Sequence, residues 1–187
     1  MNLSRTGTRC LSACTRPSSA MAKHFCKGVT LVELMVTVAI IAILASVAVP
    51  AFESVMLSSR LTSMSNDFAS AVQLARNEAI KRNTTVTLCV AGSASSCGTG
   101  GWQQGWLVLD SASQVIHSRA SLNTGYLLKS SGTAVTSITF QPSGAGATTA
   151  VLVLCKSTPS AGSQERTITV SATGRATITK TTTGVCT

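Results

Sequence analysis

Glu33 is a lone carboxylate in an apolar stretch. Between Val29 and Ala51 only Thr30, Glu33, Thr37, Ser46 and Pro50 interrupt a run of hydrophobic residues. A charge inside a lipid-embedded span costs on the order of 2.5 kcal/mol or more, so it normally has a function and a counter-charge. The competing reading is a carboxylate that snorkels to the helix end, about 6 Å away along the axis. Five cations, Arg5, Arg9, Arg16, Lys23 and Lys27, precede the run without an acid among them.

Cysteines form the second chemical group. Cys10, Cys14 and Cys26 lie before the apolar run, and Cys89, Cys97, Cys155 and Cys186 after it. Four cysteines in an exported segment allow two disulfides in an oxidising compartment, in three connectivities. Cys89 with Cys97 would close a short Gly/Ser-rich loop, and Cys155 with Cys186 would tie down the C-terminal tail. That pairing is favoured. The sequence has no C-x-x-C and no structural-zinc spacing, and no metal or cofactor is expected. His117 is the single histidine beyond the apolar run, and it has no accompanying nucleophile motif. Gly-rich phosphate loops, H-E-x-x-H and paired carboxylates do not occur, so the chain does not read as an enzyme. Trp102 and Trp106 flank Q-Q-G as core or loop anchors, with ligand stacking by an exposed ring as the alternative.

These residues need positioning elements. At about 1.5 Å per residue, a helix from Val29 to Ala51 spans the roughly 30 Å hydrocarbon layer. The upstream cations place its N-terminus in the cytoplasm and the rest of the chain across the membrane, in a single pass. A cleaved secretory signal is the rival reading, but the run is too long for its apolar region and continues into an amphipathic pattern. Past Pro50, Leu61, Met64, Phe68, Ala71, Val72, Ala75 and Ala79 recur at helical spacing opposite Arg60, Ser63, Asp67, Ser70, Asn77 and Lys81. The helix therefore reads as 29–81, with 52–83 as its amphipathic half. From Thr84 the period becomes two and β-branched residues dominate. Strands are expected at 85–91, 105–110, 114–120, 125–129, 137–141, 149–156, 166–171 and 175–179. The fold class is α+β: a long N-terminal helix, first transmembrane and then amphipathic, packed on an antiparallel β domain over 84–187.

The stretch K-G-V-T-L-V-E-L from Lys27 to Leu34 resembles the leader junction of type IV prepilins and type II secretion pseudopilins. The resemblance implies a leader over 1–28, cleavage by a prepilin peptidase between Gly28 and Val29, and N-methylation of Val29. M-A-K-H-F-C-K-G from Met21 is by itself a compact basic leader, which points to Met21 as the true start. Val29 departs from the Phe or Met usual at the first mature position. In such proteins the fifth mature residue, here Glu33, pairs with the N-terminal amine of a neighbouring subunit, and a kinked or melted helical segment falls near Pro50.

Further motifs narrow the resemblance to the GspH/FimT branch: R-N-E-A-I-K-R-N, V-T-L-C-V, G-W-L-V-L-D, V-L-V-L-C and S-A-T-G-R. It implies a pilin fold and a minor pilin of a type IV pilus, FimT-like, that passes from the inner membrane into a surface filament of other pilins. A GspH-like minor pseudopilin of type II secretion is the alternative. In FimT-type proteins that take up DNA, a C-terminal G-R-x-R motif contacts the nucleic acid. Gly174 and Arg175 match it, and Thr177 stands at the second arginine. Lys180 and Arg166 are the nearby cations that could complete a site for double-stranded DNA, with Lys156 adding charge. The competing reading of Arg175 is a surface residue in a turn.

Overall fold

The computed structural model describes residues 28–144, 148–157 and 164–182. The chain divides into two units, one ending at Leu44 and the other beginning at Ala45. One helix, α1 (Leu31–Arg82), carries the chain from the first into the second. It is long and apolar enough to cross a membrane by length and composition. The helix opens at Leu31 rather than at Val29 because Thr30 caps it. Thr30 Oγ1 accepts the Glu33 N–H at 3.2 Å, and the Thr30 carbonyl accepts the Leu34 N–H at 3.1 Å.

Pro50 lies inside α1, and the helix is continuous through it, so no melted segment separates the two halves. A proline there removes one N–H and crowds the preceding turn. Long helical stretches on either side hold the backbone helical all the same.

The C-terminal end of α1 is a Schellman cap. Asn83 takes a left-handed φ of 52°, its N–H bonds to the Ile80 carbonyl, and the Thr84 N–H bonds to the Ala79 carbonyl. This stop turns the chain into the first strand.

Among the described residues eight strands follow: β1 (Val86–Val90), β2 (Trp106–Leu109), β3 (Val115–Arg119), β4 (Tyr126–Ser130), β5 (Ser137–Phe140), β6 (Ala150–Lys156), β7 (Glu165–Val170) and β8 (Ala176–Thr181). They form two antiparallel sheets, ordered β3-β2-β1-β5 and β4-β6-β7-β8. β4 and β5 exchange places between the sheets relative to chain order, a connection that periodicity does not encode.

The core lies between the second half of α1 and both sheets. Leu61, Phe68, Ala71, Val72, Ala75 and Ala79 present one helical face to Val86, Leu88 and Val90 of β1 and to Leu152, Leu154 and Ile168 of the second sheet. Phe68 is its aromatic centre, edge-on to both Trp102 and Trp106 at 5.2 Å. Both tryptophans are buried, and the Trp102 indole N–H donates to the Val135 carbonyl at 2.6 Å. They are core anchors, which removes the stacking alternative. Ser65 also lies inside this face, its hydroxyl donating to the Leu61 carbonyl.

Cys89 and Cys97 are joined by a disulfide with Cα atoms 5.6 Å apart. Cys89 is buried with Leu107 and Leu109 on the other face of the first sheet. Cys155 is also disulfide-bonded, and Cys186 lies outside the described residues.

Candidate processing and assembly site

Gly28, Val29 and Thr30 precede the helix without regular structure, and all three are exposed. Among the described residues, a Cβ added to Gly28 would meet nothing within 4 Å. The described residues therefore place no packing demand for glycine at this position.

Glu33 sits in the first helical turn, where a carboxylate is favoured by the unsatisfied N–H groups of the helix end. The T-x-x-E spacing is that of a capping box, a signal present in the sequence at Thr30 and Glu33. Among the described residues the Glu33 side chain is exposed and forms no ion pair. Around it the apolar side chains are bare: Val29, Leu31, Val32, Leu34, Met35 and Val36 are all more than half exposed. Such a surface is stable only inside lipid or against other apolar chains.

The DNA-motif residues fall into different environments. Gly174 and Arg175 close the β7–β8 hairpin, in which the Gly174 N–H bonds to the Ser171 carbonyl and the Ser171 N–H to that of Arg175. Gly174 has a φ of +72°, and a Cβ there would lie 2.9 Å from the Gly144 carbonyl oxygen and 3.1 Å from the Phe140 ring. Packing alone thus accounts for this glycine. Arg175 and Lys180 are exposed and form no ion pair among the described residues.

Arg166 departs from the expectation. It is 7% exposed, and its guanidinium donates to the Gln164 carbonyl at 2.9 Å, the Glu165 carbonyl at 3.2 Å, Ser58 Oγ at 2.8 Å and Thr62 Oγ1 at 3.4 Å. It shares β-strand parity with Ile168 and Val170 of the core and ties β7 to α1, so it offers no charge to a phosphate. Lys156 lies at the end of β6, beside Arg60 and Tyr126, away from the β7–β8 turn.

Arg76 was not anticipated by sequence reasoning. Its Nε donates to the Gly144 carbonyl at 2.8 Å, anchoring the loop on which Gly174 rests. The rest of the R-N-E-A-I-K-R-N stretch is explained by the same helix end. Arg82 bonds to Glu78 at 2.6 Å and reaches Asp110 Oδ2 at 3.3 Å, clamping α1 to the turn after β2. Its hydrogen bond holds the Glu78 carboxyl below the usual range.

His117 stands exposed on β3 and borders a surface pocket with Asp67, Ser70 and Arg119. The described residues contain no group of three or more potential metal ligands.

The family model described as type II transport protein GspH matches residues 64–174, more than half of the chain. The chain belongs to the GspH family. The prokaryotic N-terminal methylation motif also matches, over residues 23–49, which brackets Gly28, Val29 and Glu33. Among solved structures, this GspH-family chain is similar to the type IV minor pilin FimU of Pseudomonas aeruginosa PAO1 in two crystal forms. In one the TM-score is 0.52 at 19% identity, covering 65% of this chain and 89% of FimU. In the other it is 0.51 at 20% identity, covering 64% and 92%. At these identities the likeness establishes the pilin fold. The minor pseudopilin EpsH of the Vibrio cholerae type 2 secretion system gives 0.47 at 13% identity, covering 64% and 96%, a likeness too distant to weigh. No curated protein matches the sequence significantly.

The GspH-family chain is thus a minor pilin or pseudopilin, of a type IV pilus or a type II secretion system. Its family is built of filament subunits rather than enzymes.

Proposed function

We propose that the chain is a minor pilin of a type IV pilus, FimT-like, made as a precursor anchored in the inner membrane. A prepilin peptidase removes residues 1–28, and the new N-terminus at Val29 is methylated. The apolar half of α1, 29–51, then joins the filament core, while 52–83 and the β domain over 84–187 remain outside it. The observation that carries this reading is the bare Gly28–Val29 bond, immediately ahead of an apolar helix whose first turn holds Glu33.

In this reading hydrolysis creates a positive amine on Val29, and the Glu33 carboxylate meets the amine of a neighbouring subunit. A buried charge that is costly alone becomes tolerable once paired, so the pair favours one docking register. Pro50 lies where the apolar half gives way to the amphipathic half, and a local bend in the packed filament is assigned to it. The description of the matching family favours one second reading, a minor pseudopilin of type II secretion. Contact with double-stranded DNA would rest on Arg175 and Lys180, and two cations give weak, salt-sensitive binding.

Mass spectrometry of the mature chain tests the reading. The expected N-terminus is Val29 carrying one added methyl group, and a chain beginning elsewhere overturns it.

A further inference from the structure

The hydroxyl of Thr30 ends the helix two residues short of the bond to be cut. Thr30 Oγ1 accepts the Glu33 N–H, the first intrahelical bond runs from Leu34 N–H to the Thr30 carbonyl, and Gly28–Thr30 stay outside the helix. An apolar segment in lipid is under pressure to become helical, because an unbonded amide there is costly. Without a stop, that pressure acts on Val29 and Gly28 as well. Peptide bonds are hydrolysed in extended form, since a helical amide presents neither face of its carbonyl to a nucleophile. The exposure of Gly28 and Val29 is the second observation: among the described residues nothing lies within 4 Å of a Cβ placed on Gly28, so none of them covers the bond.

We infer that Thr30 is a positioning residue for processing: its N-cap holds the Gly28–Val29 bond out of the helix and available to the peptidase. The inference rests on the cleavage proposed above. In that step water adds across the amide, its hydroxyl going to the Gly28 carbonyl carbon and its proton to the Val29 nitrogen. The C–N bond breaks, leaving a Gly28 carboxylate and a Val29 ammonium. Thr30 takes no part in the bond exchange. It sets how much of the precursor is presented in a cleavable shape.

The test uses the full-length precursor in membranes with a co-expressed prepilin peptidase. Initial rates of appearance of the Val29 N-terminus are measured at limiting substrate for Thr30→Ser, Thr30→Asn, Thr30→Val and Thr30→Ala. N-cap strength runs Asn and Ser at or above Thr, with Val and Ala far below, and loss of a typical cap corresponds to about a five-fold population change. Ser and Asn variants are therefore expected at or above the wild-type rate, and Val and Ala variants about five-fold below it. Amide exchange at Val32 is expected to slow in the Val and Ala variants, because a helix advanced to Gly28 gives that N–H the Gly28 carbonyl as acceptor. Thr30→Val preserves shape, so wild-type cleavage of that variant overturns the inference, as does failure of Ser and Asn to sustain the rate. A wild-type precursor that is not cut at Gly28–Val29 overturns the cleavage reading instead.

Discussion

Arg166 Nη2 donates to Ser58 Oγ at 2.8 Å, joining β7 to α1 across 108 positions of sequence. A guanidinium with four acceptors in a buried setting is a structural clamp. Hydrogen bonds made by a charged group contribute about 1.5–3 kcal/mol, and a buried group left unpaired costs more. Arg166→Ala is expected to lower unfolding stability by about 2–3 kcal/mol. Arg166→Lys should recover part of it, because an ammonium reaches fewer of these acceptors at once. Urea unfolding of the full chain in detergent measures both. A loss below about 0.5 kcal/mol, the usual size of an exposed change, would refute the clamp.

Gly174 and Gly125 separate backbone strain from crowding. Both have positive φ, +72° and +88°, but among the described residues only at Gly174 would a Cβ meet neighbours, the Gly144 carbonyl and the Phe140 ring. Gly125→Ala is expected to cost about 1–2 kcal/mol for the left-handed conformation alone. Gly174→Ala should cost measurably more in the same urea titration. Equal losses would show that the hairpin turn yields freely.

The capping-box position of Glu33 and the pairing role proposed for it are separated by one pair of substitutions. Gln at the same place keeps a capping-box residue and removes the charge, whereas Ala removes both. Breaking a buried ion pair costs about 3–5 kcal/mol, so both variants should enter filaments roughly a hundred-fold less well or worse. Both should still be cut at Gly28–Val29. Recovery of Glu33→Gln in sheared filaments at the wild-type level would mean that the charge is not needed for pairing and that the side chain acts at the helix start.

The β7–β8 turn offers a test for DNA. Each phosphate contact adds about 0.9 to the slope of log affinity against log salt. Arg175→Ala and Lys180→Ala should each flatten that slope by about 0.9 in titrations of the full chain with duplex DNA. Arg166→Gln should leave it unchanged, since Arg166 faces α1. Slopes that ignore Arg175 would reduce it to a turn residue.

The eight strands among the described residues and the amphipathic helical face were legible in the residues, because a period of two or 3.6 is set by local backbone geometry. The helix start was legible too: Thr30 and Glu33 stand at capping-box spacing, and the expected start at Val29 came from following hydrophobicity alone. The parity of Arg166 with Ile168 and Val170 already pointed it toward the core, although proximity to Gly174-Arg175 suggested a ligand site.

The sequence by itself determined the apolar anchor, its isolated acid, the glycine before it and the alternation of the β domain, all of them properties of neighbours along the chain. Only the tertiary structure decided which sheet received β4 and β5, what Arg166 and Arg76 grip, and that Gly174 is a packing glycine. Those outcomes depend on atoms brought together from remote segments, such as Gly144 beneath Gly174 and Ser58 beside Arg166. No local pattern carries them, because the energy of a contact belongs to both partners and the fold chooses the pair.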